Sequence, residues 1–356
     1  MRNIAMFVLL AALPGLALGA QSPAADKRAA FLKIVDAPRV DPRPEVQRRA
    51  APAPGLIEEH FAISVENSQR VIGILVKRED AAGRQPVVIQ LHGTNGNKEQ
   101  LRPRLIALAN RGIIGIAIDG RYHGERSGEA SSLGSPYASG IFNAFKTGRE
   151  HPFCYDTVLD VRRLIDYLET RPDIDPSRIG LGGFSKGGIE TYLAAAVEPR
   201  IAAAVAGHGV QSFGWALDHG AWDSRAWTIR EALTAAAAES KSPVNPAFIK
   251  RFYDVVAPGI YSDFDGPAMV PLVAPRPFLM INGDSDPRTP MAGVRASAAA
   301  AESAYKNAGA PEKFSVQILQ GVGHEQTPAY DQAMLAWFER WLTPAGDRRS
   351  AIGGGR

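Results

Sequence analysis

The sequence Gly183-Phe184-Ser185-Lys186-Gly187 lies between a short apolar run, 177–182, and a stretch of helical character, 188–197. The run is typical of a β-strand, and the stretch after it is typical of an α-helix that ends near Pro199. A serine at such a strand-to-helix turn is held in a strained backbone, and the flanking glycines leave room for neighbouring elements. The start of the helix adds free N–H groups beside the hydroxyl. The turn therefore predicts a displayed nucleophile, Ser185, although the pentapeptide by itself is weakly specific.

The composition is that of a globular protein with one large core and room for an insertion or a tail, in a chain of 356 residues. Forty Lys and Arg against 37 Asp and Glu give a net charge of +3, too small and dispersed to predict nucleic-acid binding. Residues 1–20 combine an early positive charge, an apolar run and small residues, which is typical of a signal peptide and too short for a membrane anchor. The only cysteine, Cys154, allows no internal disulfide. We therefore expect a periplasmic or secreted protein whose mature form has no membrane segment.

Apolar runs and helical stretches alternate along the central part of the chain. Parallel strands are predicted at 87–91, 113–118, 178–182, 201–206, 277–281 and 314–319, after two antiparallel strands at 60–65 and 70–77. Helices are predicted at 98–110, 156–168, 188–197, 292–308 and 329–342. This alternation predicts an α/β fold with a mostly parallel central sheet and helices on both faces.

Three segments fall outside this pattern. Residues 21–56 are rich in Pro and Ala, and we expect a linker or an extended arm over the domain that spans 57–345. Residues 346–356 contain three consecutive glycines and are expected to form a flexible tail. Between about 210 and 270 no strand is predicted but aromatic residues are dense, directly after the carboxyl end of a strand. We favour a helical cap over the active site, and the alternative is a helical insertion with its own aromatic core.

A serine hydroxyl needs a base that takes its proton, and the base needs an acid that orients it. We favour His324 as the base, because glycines surround it in the loop after the last predicted strand. Two carboxylates follow the strand at 277–281. We favour Asp286 as the acid, since a proline-rich turn follows it, whereas Asp284 is suited to cap the turn. The rival histidines are His92, His123, His151, His208 and His219.

The loop 91–96 follows the first buried strand, and its backbone can turn N–H groups toward the serine. Thr94 is the expected first donor of an oxyanion hole, and Lys186, directly after the nucleophile, is the second. Both act through their backbone N–H groups. His92 is expected to brace this loop rather than to catalyse.

Four motifs in this order resemble those of the α/β-hydrolase superfamily, and they span roughly 87–342. They are His92-Gly93, Gly183-x-Ser185-x-Gly187-Gly188, Gly283-x-x-Asp286 with Pro290 after it, and Gly323-His324. With the stretches 119–126 and 274–277, the chain is similar to the dienelactone hydrolase, acetyl xylan esterase and prolyl-oligopeptidase-like group. The resemblance implies an α/β-hydrolase fold with Ser185 as nucleophile, Asp286 as acid and His324 as base.

The expected function is that of an exported serine esterase, which hydrolyses carboxylic esters through an acyl-enzyme. Its expected partner is a small-molecule or carbohydrate-linked ester. The alternatives are an amidase or peptidase of the prolyl-oligopeptidase-like type and a non-catalytic binding module on a hydrolase fold. The sequence contains no His-Glu-x-x-His motif, no spaced Cys/His cluster and no dinucleotide fingerprint, so we expect neither a metal nor a cofactor.

Overall fold

The computed structural model describes residues 23–128 and 132–343. Its nine strands are β1 (Glu45–Arg49), β2 (Leu56–Ser64), β3 (Arg70–Arg78), β4 (Gln85–Leu91), β5 (Ile114–Ile118), β6 (Ile174–Phe184), β7 (Ile201–Gly207), β8 (Phe278–Gly283) and β9 (Phe314–Leu319). Its helices are α1 (Pro23–Val35), α2 (Arg102–Ala109), α3 (Pro136–Thr147), α4 (Asp156–Leu168), α5 (Lys186–Val197), α6 (Phe213–Asp218), α7 (Asp223–Ala226), α8 (Arg230–Glu239), α9 (Pro246–Val256), α10 (Gly266–Met269), α11 (Met291–Asn307) and α12 (Pro328–Leu342). The predicted signal peptide, 1–20, and the predicted tail, 346–356, lie outside the described residues.

The strands form one sheet in the order β1-β2-β3-β5-β4-β6-β7-β8-β9. β1, β2, β3 and β5 pair antiparallel, and every pair from β5 onward is parallel. The predicted mostly parallel sheet is therefore confirmed, as is the antiparallel pair β2–β3. The carboxyl ends of β4, β6, β7, β8 and β9 consequently meet at one edge, where the connecting loops carry the candidate site.

Helices cover both faces of this sheet. Since successive residues of a buried strand point to opposite sides, neighbouring residues pack against different helices. Val88 of β4 packs in one cluster with Met334 and Phe338 of α12. Ile89, the next residue, packs in a second cluster with side chains of α4 and α5, among them Leu164. Within the described part of the chain, no helix is both long and apolar enough to cross a membrane.

The segment expected to be a linker or arm has regular structure from Pro23 onward. Phe31 of α1 is fully buried, and its ring lies 4.8 Å from that of Tyr155 and 5.1 Å from that of Phe264. Arg28 donates hydrogen bonds to the backbone oxygens of Ala196 and Leu272 at 2.8 and 2.6 Å. The segment then adds β1 to the edge of the sheet. Helix α1 was not predicted from the Ala- and Pro-rich sequence, because few apolar residues anchor it to the domain.

The insertion between β7 and β8 is helical, as expected, and comprises α6 to α10. Most of its rings form an aromatic core: Phe213, Phe248, Phe252, Tyr253 and Phe264 are buried. The core also includes α3, which was not predicted, because the Phe145 ring stacks on Phe252 with the centroids 5.3 Å apart. Trp227 differs from the other rings, since it is 52% exposed. The insertion thus has its own core, and it also reaches the turn that carries Ser185, through Arg225 of α7.

Candidate active site

Ser185 occupies the turn between β6 and α5 with φ 58° and ψ −114°, a left-handed conformation that is strained for serine. Its N–H donates to the backbone oxygen of Gly207 at 2.8 Å and fixes the turn against β7. The glycines are required by space. A Cβ at Gly183 would collide with the backbone of Gly187, and a Cβ at Gly187 would collide with the carbonyl of Leu91. The turn therefore presents the hydroxyl only because glycines stand on both sides of it.

Three predicted side chains meet at this edge of the sheet. His324 Nε2 lies 2.7 Å from Ser185 Oγ, and His324 Nδ1 lies 2.7 Å from Asp286 Oδ2. The carboxylate accepts from Nδ1–H, which fixes the tautomer and leaves Nε2 free to accept the serine proton. Asp286 and His324 come from the loops after β8 and β9, so the parallel strands bring distant parts of the chain together.

The other carboxylate and the other loop histidine have structural partners. Asp284 is exposed, and its Oδ1 accepts from the N–H of Gly321 at 2.7 Å, as a turn-capping aspartate does. His92 Nε2 accepts from the N–H of Gly120 at 2.9 Å, and its Nδ1–H donates to the oxygen of Gly93 at 2.7 Å. Burial, together with the charge of Lys186, lowers the pKa of His92 to about 3. His92 thus braces its loop as a neutral ring.

The two expected oxyanion donors flank Ser185. Thr94 lines a cavity of about 510 Å³ together with Ser185 and His324. The neighbouring Gly93 lies so close that a Cβ there would be 3.6 Å from Ser185 Cβ. Lys186 is the first residue of α5, and N–H groups of a first helical turn have no intrahelical partner. Both backbone groups thus remain candidates for the oxyanion hole.

The side chain of Lys186 is not part of the cavity wall. It is buried, and its Nζ pairs with the equally buried Glu190 one turn along α5. Thr157 of α4 donates its hydroxyl to Glu190 at 2.7 Å. The hydrogen bond from Thr157 thus links α5, the helix that follows the serine, to α4, and the ion pair neutralises the buried charge of Glu190.

The electrostatics of the site favour an ionised Asp286 and a neutral His324. Burial raises the pKa of the Asp286 carboxyl, but hydrogen bonds from His208 and His324 outweigh it and hold that pKa well below its usual range. Burial lowers the pKa of His324, the hydrogen bond to Asp286 opposes this effect, and the positive charge of Arg225 lowers it further. A histidine that is neutral at neutral pH can accept a proton.

Two residues of the site were not predicted. His208, considered only as a rival base, is fully buried, and its Nδ1 lies 2.8 Å from Asp286 Oδ2. Arg225 of α7 donates through Nη2 to the backbone oxygen of His208, and its Nη1 lies 3.5 Å from Ser185 Oγ. In the sequence, the one feature that marks Arg225 is its position between two tryptophans, Trp222 and Trp227.

His208, Asp286 and His324 also offer atoms that can bind metals, all within 4.8 Å of one another. Both histidines direct Nδ1 at the same carboxylate oxygen, so hydrogen bonding accounts for their closeness. A metal ion at this point would have to replace both N–H···O bonds.

Two family models match the chain. The acetyl xylan esterase (AXE1) model matches residues 32–211, and the prolyl oligopeptidase family model matches residues 154–345. "Putative hydrolase YtaP" of Bacillus subtilis (strain 168) is 25% identical over 308 residues, which are 80% of this chain and 88% of that protein.

Solved structures of esterases have the same fold. An acetyl xylan esterase from Paenibacillus sp. R4 superimposes with a TM-score of 0.63 at 21% identity, over 89% of this chain and 93% of that one. Acetyl Xylan Esterase 1 from Thermoanaerobacterium sp. JW/SL YS485 gives a TM-score of 0.64 at 18% identity, over 90% and 94% of the two chains. A glucuronoyl esterase from Solibacter usitatus gives 0.58 at 15% identity, over 89% and 92%.

Proposed function

Because the chain belongs to the α/β-hydrolase group of the acetyl xylan esterase and prolyl oligopeptidase family models and is a carboxylic ester hydrolase, we propose that it forms an acyl-enzyme on Ser185. His324 is the proposed base and Asp286 the acid that orients it. The observation that carries the proposal is the continuous series of hydrogen bonds from Ser185 Oγ through His324 to Asp286, with 2.7 Å at each step.

The proposed reaction has two halves. In the first, His324 Nε2 takes the proton of Ser185 while Oγ attacks the ester carbonyl carbon. The negative charge of the tetrahedral intermediate is held by the N–H groups of Thr94 and Lys186. His324 then gives the proton to the leaving alcohol. In the second half, His324 deprotonates a water, which attacks the acyl carbon, and the proton returns to Ser185 as the acid leaves.

A small-molecule or carbohydrate-linked ester is the proposed substrate. The wall of the cavity beside Ser185 includes the polar residues Asn95, Gln100 and Gln326. The exposed ring of Trp227 lines the same cavity, and an aromatic ring beside polar groups suits a sugar or an aryl group. Hydrolysis rates for acetyl, feruloyl and longer acyl esters, including acetylated xylan, will rank these substrates.

We also propose that the protein is exported to the periplasm or the medium. The proposal rests on residues 1–20, whose charge and apolar run are typical of a signal peptide. Expression of the full chain with fractionation, followed by N-terminal sequencing of the exported protein, tests it. Export with cleavage near residue 20 is expected, and retention of the intact chain in the cytoplasm contradicts it.

A second candidate function is amide or peptide hydrolysis, because the prolyl oligopeptidase family model matches residues 154–345. An amide has a poorer leaving group than an ester, so the enzyme must protonate it more effectively. Parallel assays with p-nitrophenyl acetate and an aminoacyl p-nitroanilide separate the two. The proposal of an esterase predicts turnover of the ester alone, and efficient anilide cleavage favours the peptidase.

Variants of the proposed triad test the mechanism. Ser185→Ala should be inactive on p-nitrophenyl acetate while its melting temperature stays near that of the wild type. Asp286→Asn should lose far more activity than the matched control Asp284→Asn, whose carboxylate only caps a turn. Retained turnover in Ser185→Ala places the nucleophile elsewhere, and the reverse order of the two aspartates assigns the acid to Asp284.

A further inference from the structure

Arg225 is a buried cation that no carboxylate of the described residues contacts, and the charge of Asp286 only partly opposes the effect of burial, which lowers the pKa of the guanidinium. It is only 2% exposed, and within residues 23–128 and 132–343 no acidic oxygen lies within salt-bridge distance of its guanidinium. Its Nε has no hydrogen-bond partner in the same ranges. A buried charge is costly unless ion pairs and hydrogen bonds compensate for it. Such a group beside a reactive serine therefore calls for a functional explanation.

The two other nitrogens of Arg225 point at the candidate site. Nη2 donates to the backbone oxygen of His208, whose ring holds Asp286. Nη1 lies 3.5 Å from Ser185 Oγ, at the outer limit of a hydrogen bond to a neutral hydroxyl. A hydroxyl has one donor and two acceptor positions. Ser185 therefore donates to His324 Nε2 and still has a lone pair that faces Arg225.

This contact becomes stronger as charge develops on the serine oxygen. In the first half-reaction Oγ loses its proton to His324 while the bond to the acyl carbon forms. In the second half that bond breaks and Oγ leaves with the electron pair as His324 returns the proton. In both halves negative charge accumulates on Oγ, and a fixed, buried guanidinium stabilises it. Hydrogen bonds of this kind are often long in the unliganded enzyme and shorten in the transition state.

We propose that Arg225 is a further catalytic residue, which stabilises the developing charge on Ser185 Oγ during both formation and hydrolysis of the acyl-enzyme. The inference rests on the proposed function, because it assigns Arg225 to the reaction of Ser185. The role differs from that of the oxyanion hole, whose N–H groups stabilise the carbonyl oxygen of the substrate and not the oxygen of the enzyme. Because Arg225 belongs to α7, the insertion α6–α10 in this proposal supplies a catalytic residue as well as covering the site.

The positive charge has a second, measurable consequence, because it acts on His324 as well. The charged and titratable groups around His324 are Asp286 and His208 from the loops after β8 and β7, Arg225 from α7, and Arg288, Glu325 and His92 in the cavity wall. Of these, Arg225 and, less strongly, His208 disfavour the imidazolium form of His324. The acid limb of the pH profile of kcat/KM is the range in which activity is lost as the pH falls. Removal of the Arg225 charge should therefore move this limb to higher pH, whereas loss of packing alone leaves it in place.

Three variants test the proposal with p-nitrophenyl acetate. Arg225→Met removes the charge at similar volume, and Arg225→Lys keeps it without the fork geometry. Arg251→Met removes an exposed cap arginine that packs on Phe248, outside the cavity wall, and serves as control. We expect kcat to fall about 100-fold in Arg225→Met at unchanged KM, with an acid limb about one pH unit higher. Arg225→Lys should lose about tenfold in kcat and keep the wild-type acid limb, and Arg251→Met should match the wild type.

Single-turnover kinetics extend the test to the second half-reaction. The rate of acetyl-enzyme hydrolysis should fall in Arg225→Met along with the rate of its formation. Wild-type kcat in a folded Arg225→Met, or equal acid limbs in Arg225→Met and Arg225→Lys, overturns the proposal. If Arg225→Met does not fold, a full kcat in Arg225→Lys overturns it. An inactive Ser185→Ala beside a fully active Arg225→Met rejects this inference and leaves the proposed function intact.

Discussion

The buried ring of His208 donates from Nδ1 to Asp286 Oδ2 at 2.8 Å, and this is the same carboxylate oxygen that accepts from His324 at 2.7 Å. The other oxygen, Oδ1, accepts from the backbone N–H of Arg288 at 2.8 Å. Three donors thus hold one buried carboxylate in a single orientation and keep it ionised. His208 has a φ of 49°, so its loop is in a strained conformation that directs the ring toward Asp286. We therefore expect His208 to be a positioning residue, which acts on Ser185 through the proposed acid, Asp286.

The first prediction concerns His208→Asn, since asparagine tolerates the left-handed backbone at this position. With one donor fewer, the charge of Asp286 interacts more strongly with His324 and stabilises its imidazolium. We expect kcat to fall roughly tenfold and the acid limb of kcat/KM to move to higher pH. His219→Asn, at an exposed histidine that stacks on Trp215, is the control. An unchanged acid limb in His208→Asn would reduce His208 to a packing role.

The pH profile of the wild type follows from the lowered pKa of His324. The base is active only when neutral, so activity is lost as the pH falls through the pKa of the folded enzyme. Because burial and the charge of Arg225 lower that pKa, the acid limb of kcat/KM should lie below about 6.5, the value of free histidine. The measurement is kcat/KM for p-nitrophenyl acetate across the acidic range, with the background hydrolysis subtracted. A midpoint above that value contradicts the electrostatics described for the site.

Much of the fold was predictable because its strands are covered on both faces. Runs such as 113–118 and 201–206 are continuous and apolar, and turns with Gly or Pro separate them from helices of clear periodicity. The helix at 156–168 and the strand at 314–319 were predicted with the bounds that the structure has. Helix α1 was missed, because two buried residues, Phe31 and Val35, anchor it within an Ala-rich sequence. Local pattern does not reveal a helix whose stability comes from docking.

The candidate site was predictable to the extent that its parts lie at strand ends. Ser185, Asp286 and His324 each follow a predicted parallel strand, and such ends meet at one edge. His208 and Arg225 were not assigned, since their roles depend on distances across the chain. His208 meets a carboxylate 78 positions away, and Arg225 meets a serine 40 positions away. Neither contact leaves a motif in the sequence.

The buried pair Lys186–Glu190 supports a prediction about stability. Glu190→Gln leaves the ammonium buried without its counter-charge, so we expect a loss of about 3 kcal/mol in the free energy of unfolding. The double variant Lys186→Met/Glu190→Met replaces the pair with apolar side chains and should recover most of this loss. It also keeps the backbone N–H of residue 186. Denaturant unfolding at neutral pH measures both, and a Glu190→Gln variant as stable as the wild type contradicts the role of the pair.

His92 supports a prediction about acid stability. Its pKa is about 3 in the folded protein and about 6.5 when unfolded, so between these values only the unfolded chain binds the proton. Stability therefore falls as the pH drops through this window. In His92→Asn the free energy of unfolding should decrease less between pH 7 and pH 5 than in the wild type, by about 2 kcal/mol. His219→Asn is the exposed control and should follow the wild type, and an equal decrease in all three proteins contradicts a neutral His92.

The most direct test of the account is covalent labelling with a fluorophosphonate, followed by mass spectrometry of the digested protein. The probe reacts with a serine whose hydroxyl is activated by a neighbouring base. We predict that the label is found on Ser185 in the wild type and that labelling is lost or strongly slowed in His324→Ala and Asp286→Asn, measured on folded protein. Labelling of a different residue, or full esterase activity in protein whose Ser185 stays unlabelled at saturating probe, would contradict the account.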